Sequence, residues 1–207
     1  MTRINPRVID CLFNTPEQFD PCVDMLPEHC MSLNPAMVLE SLNGFFQSSA
    51  WIKRYSSHQL AHGLQLITDT ACSDYPLLYT TRHPDSRLLR PLQHEAIRCL
   101  TYVYSNIFEP YCTDTYEADV HASVDPLAHI CYMFWDIFAL HPDSTDAKGV
   151  VLALEVMERA LHSGHYSCIR SALHGLGHWH VASNGAAGGT DAPIIAYTQS
   201  KLITPRS

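Results

Sequence analysis

Apolar residues recur three and four positions apart along most of the chain, with polar residues between them. That spacing turns one side of an α-helix toward a core. The clearest stretch is 167–181, SCIRSALHGLGHWHV. At about 100° per residue, Ile169, Ala172, Leu173, Leu176 and Trp179 share one arc, which predicts a core-facing stripe. His174 and His178 fall opposite it, four apart and therefore neighbours on one surface strip. His180 returns to the apolar arc.

Residues 57–71 repeat this layout. Leu60, Leu64, Ile67 and Ala71 form the stripe, and His58 and His62 lie opposite, again four apart. The tripeptide His62-Gly63-Leu64 recurs as His174-Gly175-Leu176. A third helix over 85–106 has Leu89, Leu92, Ala96, Leu100 and Val103 in step, continuing to Ile107, with His94 opposite, between Arg90 and Arg98.

The remaining chain reads as further helices between short breaks. Residues 1–27 carry four prolines and are expected to be loop with short helical turns, one of them opening at Thr15-Pro16. Asn34-Pro35 opens a helix through about Ser49, and Ser56 or Ser57 caps the next. Asp85-Ser86 caps the long helix, which Pro91 should kink or restart. Residues 111–125 are polar and acidic and read as a surface loop. Asp125-Pro126 opens a helix that is apolar nearly all round, with Leu127, Ile130, Cys131, Phe134 and Phe138 in step, so it is expected to be central. Thr145-Asp146 opens another, with a stripe of Val150, Ala153, Leu154, Met157 and Leu161, closed by Ser163-Gly164. No stretch alternates with the period of a strand. The expected organisation is one all-α domain over 1–183, with an irregular segment over 1–33. A flexible tail over 184–207 follows, with a possible short helix from Asp191 to Leu202.

Helix, short turn, helix recurs about four times, the signature of stacked repeats. His62 and His174 are 112 positions apart, close to three units of about 37 residues. CIRSALHGLGHWH and QHEAIRCLTYV each resemble the second helix of a HEAT or armadillo repeat. The resemblance implies antiparallel helical hairpins stacked as a short solenoid, and a compact irregular bundle is the alternative. Such repeats host many functions, so no activity follows.

Composition narrows the classes. A net charge of −8 argues against a general nucleic-acid binder and against an anionic membrane surface. No run approaches the roughly 18 apolar residues of a membrane-spanning helix. The eight cysteines contain no C-x-x-C, and the first ten residues carry no secretory signal, so a reducing cytoplasm is the expected setting. Cys99, Cys131 and Cys168 sit in apolar helices and should behave as small hydrophobes.

Three candidate chemistries stand out. Paired histidines at i and i+4 can hold one zinc or iron ion. A metalloprotease helix needs Glu directly after its first His, whereas Gln59 and Gly175 stand here, so that activity is set aside. His94-Glu95 is similar to the His-Glu steps of HEAT-fold di-iron hydroxylases, but that family uses several such pairs and this chain has one. Arg87, Arg90, His94 and Arg98 form a basic strip suited to an acidic partner segment, or to pairing with the acidic loop. Cys168 near His165 offers a thiol–imidazole pair, with core packing as the plainer role.

The first functional expectation is a cytoplasmic binding or scaffold module. It would meet a protein or acidic peptide through a face bearing His58, His62, Arg90, His94, Arg98, His174 and His178, with no cofactor. The alternative is a zinc- or iron-dependent enzyme using His174 and His178, or His58 and His62.

Overall fold

The computed structural model describes residues 4–113 and 125–185. Of the acidic loop expected over 111–125, residues 114–124 lie outside the described residues, as does the expected tail with its short terminal helix from 186 on; Tyr111 ends a short helix. Ten α-helices are described: α1 Pro6–Phe13, α2 Glu28–Met31, α3 Pro35–Phe46, α4 Ser49–Ile52, α5 Ser57–Thr68, α6 Ser86–Val103, α7 Glu109–Tyr111, α8 Pro126–Ile137, α9 Ala147–Leu161 and α10 Tyr166–Gly185. Among the described residues there is no strand, only an isolated bridge between Asp69 and Phe138. None of the described helices is long and apolar enough to cross a membrane.

The starts follow local chemistry. Asn34 accepts the Met37 N–H at 3.1 Å ahead of Pro35. Ser56 and Gln59 cap α5 reciprocally. Asp125 accepts from Leu127 ahead of Pro126, and Asp146 accepts the Gly149 N–H at 2.8 Å. Each side chain satisfies a backbone donor that has no partner within its helix.

Each long helix packs against the long helix two places further along. One row runs α1, α5, α8, α10, and the other α3, α6, α9. The rows share one core, to which α8 contributes Leu127, Ile130, Cys131, Phe134 and Trp135. Trp135 of α8 donates to the Tyr104 hydroxyl at 2.8 Å, and that hydroxyl meets Ser171 of α10 at 2.8 Å. Edge-on aromatic contacts link Tyr104, Phe108, Phe134 and Phe138 around this bond.

Four expectations need correction. Residues 6–13 form a helix that buries Val8, Ile9, Leu12 and Phe13, and the helix start expected at Thr15-Pro16 is not one. Asn5 and Pro6 supply the cap and first-turn proline instead. Pro91 does not break α6, which runs on past it with the proline exposed. The buried side of α10 is rotated from the expected stripe: Cys168, Ser171, Ala172 and Trp179 are buried, whereas Leu173 is 58% exposed and His180 lies outside. Finally, four of the eight cysteines are paired, as Cys11–Cys30 and Cys22–Cys72. Cys99, Cys131 and Cys168 are free and buried, as expected of core thiols, and so is Cys112.

Candidate metal centre

The recurring His-Gly-Leu tripeptide does the same packing work twice. A Cβ on Gly63 would lie 2.2 Å from the Phe13 ring of α1, and one on Gly175 would lie 2.6 Å from Trp135 of α8. Each glycine lets its helix close on an aromatic side chain of the preceding helix in the same row. The histidine before each glycine then reaches that neighbour. His62 Nδ1 shares a 3.0 Å hydrogen bond with Thr15 Oγ1, just beyond α1. His174 Nδ1 meets the Tyr132 carbonyl of α8 at 3.1 Å and stacks on the Tyr132 ring, with centroids 4.3 Å apart. Arg170 lies over that same ring at 4.3 Å.

The second histidine of each pair has a different fate. His58 is half exposed and faces Glu17 at 3.8 Å. His178 Nε2 lies 3.0 Å from His174 Nε2, and its Nδ1 lies 3.3 Å from Asp136 Oδ1. One donor atom from each of Asp136, His174 and His178 can be chosen so that all lie within 4.8 Å of one another. His62, expected on a solvent face, is buried, because the segment that follows α1 packs against it through Thr15 and Phe19. Burial pushes its imidazole below the ordinary value, and His58 pushes it further the same way. Among the described residues, no donor set of three forms around it.

The basic strip of α6 is largely committed within the fold. Arg90 and His94 both pair with Asp146, the cap of α9; the His94 contact is 2.9 Å. Partial burial pushes the Asp146 carboxyl up, but the Gly149 N–H, His94 and Arg90 outweigh it and hold it near 2. Arg98 pairs with Glu95 on its own helix, and Arg87 is exposed. Five of the seven expected face residues thus meet three different neighbours: Thr15 after α1 at His62, Asp146 at the start of α9 at Arg90 and His94, and α8 at His174 and His178.

The hydrogen-bonding order around His174 and His178 carries chemical meaning. With the Nδ1–H of His174 given to the Tyr132 carbonyl, its Nε2 presents a lone pair. With the Nδ1–H of His178 given to Asp136, its Nε2 presents another. Two bonds of about 2.0–2.1 Å from one ion, opening at about 90–110°, place their nitrogens roughly 2.9–3.4 Å apart. The observed 3.0 Å fits. A metal-bound histidine characteristically gives its other N–H to a carbonyl or a carboxylate, and both kinds of acceptor are in place here. Asp136 is close enough to serve as that acceptor or as a third donor. The group faces solvent, with the His178 and Asp136 side chains 45% and 32% exposed. His141 stands nearby; burial pushes it down, Asp143 opposes this, and Arg82 and His178 add to the lowering.

Sequence reasoning named the two histidines and missed Asp136 and Tyr132. The available signal was Asp136 itself, the one acid in an otherwise largely apolar helix, four positions after Tyr132. A cavity of about 680 Å³, lined by Met25, Leu33, Tyr75 and the Cys22–Cys72 pair among others, lies away from this group. Compared with family models, with curated proteins and with solved structures, the chain matches none.

Proposed function

We propose that the protein binds a divalent transition-metal ion, zinc or iron, at His174 and His178, with Asp136 completing the group. The observation that carries this reading is the 3.0 Å approach of the two Nε2 atoms while each Nδ1 faces an acceptor. Histidine with a carboxylate suits zinc and non-haem iron. An ion held by two or three protein donors at a solvent-facing site keeps positions for exchangeable ligands, and a metal supplies Lewis acidity and an activated water to such ligands. The stacked rows of helices would be the rigid support, and their two-apart packing supports a HEAT-like array.

Metal content of the purified full chain after exhaustive dialysis tests this. About one equivalent of zinc or iron is expected, falling to background in His174→Ala and in His178→Ala. Trace metal in the intact chain, or unchanged content in both variants, would overturn the reading.

A second reading keeps the binding module. Leu88 is 83% exposed and Tyr102 41% exposed on α6, the helix that bears Arg87 and Arg98. An apolar and basic mixture of this kind suits an acidic peptide with apolar anchors. Retention of such peptides on the immobilised chain, lost in Leu88→Asp with Arg98→Glu, would support it. As to location, a reducing cytoplasm would leave the two cysteine pairs open, so their pairing favours an oxidising setting.

A further inference from the structure

Arg170, His174 and His178 follow one another at four-residue spacing, so they share one strip of α10. Tyr132 and Asp136 are likewise four apart on α8, and both face that strip. The Tyr132 ring stacks on His174, with centroids 4.3 Å apart and planes 4° from parallel, and Asp136 meets His178 at 3.3 Å. The Arg170 guanidinium carbon lies 4.3 Å from the centre of the same Tyr132 ring. One ring thus fixes both the first histidine of the pair and the arginine.

Arg170 differs from the arginines of α6. Arg90 is held by Asp146 and Arg98 by Glu95. Arg170 is exposed and, among the described residues, has no ion pair. A guanidinium lying over an aromatic ring keeps its N–H groups free in its own plane, where they can meet both oxygens of a carboxylate. With a divalent ion at His174 and His178, the ion and Arg170 together outweigh the single charge of Asp136. The strip is then a positive spot on a chain of net charge −8.

We infer that the ion's exchangeable positions take a small dicarboxylate, with one carboxylate on the ion and the other on the Arg170 fork. Length selects two acidic groups rather than one. From Arg170 to an ion held between His174 and His178 is about one and a half turns of helix, or about 8 Å. A lone carboxylate serves one end of that span; two carboxylates joined by a two- or three-carbon chain serve both. Charge-assisted, paired hydrogen bonds at Arg170 would give both affinity and orientation. This inference rests on metal binding at His174 and His178 and names the class of ligand that the metal would exchange.

The test titrates the zinc-loaded full chain, freed of excess metal, with succinate in a calorimeter and measures its zinc in parallel. One succinate per bound zinc is expected, with acetate binding much more weakly. Arg170→Gln should keep its zinc and its denaturation midpoint, weaken succinate by about tenfold or more and leave acetate unchanged. Arg170→Lys, which keeps the charge and loses the fork, should fall between. Equal succinate affinity in native and Arg170→Gln chains of equal zinc content, or acetate as tight as succinate, overturns this inference and leaves metal binding standing. A native chain that holds no zinc or iron overturns both. The comparison of succinate with acetate on the native chain decides the matter even if a variant does not fold.

Discussion

Gly175 and Trp135 lie so close that a Cβ on the glycine would stand 2.6 Å from the indole ring. Each is chain neighbour to a residue of the proposed metal group: Gly175 follows His174, and Trp135 precedes Asp136. The closeness of α8 and α10 and the geometry of the site are therefore one quantity. Gly175→Ala should gain about 1 kcal/mol of helix propensity yet lose about 1–3 kcal/mol to overpacking. Trp135 is fully buried and hydrogen-bonded to Tyr104, so it has little room to yield. We expect a net loss of stability in chemical denaturation and weaker metal binding in titration. An alanine variant as stable as the native chain would show that α8 can shift freely.

Asp136 should tune the metal rather than hold the fold. The side chain is about a third exposed. Asp136→Asn is expected to change stability by less than about 0.5 kcal/mol and to weaken metal affinity by about 10–100-fold, the usual cost of removing an outer partner. Because metal and proton compete for the same Nε2 lone pairs, affinity should fall as the solution is acidified. Calorimetric titration at several pH values checks both statements.

Asp146 couples stability to acid. Its carboxyl is held near 2 in the folded chain, below the ordinary 3.8. A carboxyl lowered by folding stabilises fully above its unfolded value, and that contribution is lost as pH falls through the folded value. Loss is therefore expected between about pH 4 and 2. Asn can cap a helix about as well as Asp, so Asp146→Asn isolates the charge. We expect a cost of about 1–2 kcal/mol at neutral pH, after allowance for screening, and almost none near pH 2. Equal cost at both pH values would show that the pairing with Arg90 and His94 is not what matters.

The true buried side of α10 gives a contrast between two residues that the sequence places on one stripe. Leu173 is 58% exposed, and its change to Gln should shift stability by less than about 0.5 kcal/mol. Trp179 is fully buried against Trp135, and Trp179→Ala should cost about 3–5 kcal/mol. Denaturant midpoints of the two variants measure the difference directly.

Helix content and most starts were written in the chain. Asn34, Ser56, Asp125 and Asp146 are local signals, because a cap satisfies backbone donors within three residues of itself. The i and i+4 histidine pairs were equally plain, since a single helix fixes that neighbourhood. What neighbours each pair could not be read, because it depends on which helix packs alongside. The similar segments at His58-His62 and His174-His178 therefore diverged. Thr15 and Phe19, just after α1, cover His62, while α8 brings a carbonyl, a ring and a carboxylate to the other pair. Arg90 and His94 met Asp146 for the same reason, across 56 and 52 positions of sequence. The pairing of Cys22 with Cys72 is likewise a contact over 50 residues. Periodicity sets which side of a helix faces inward to within a rotation. Only the close approach of α8 at Gly175 fixed that rotation for α10, and with it which two histidines could share an ion.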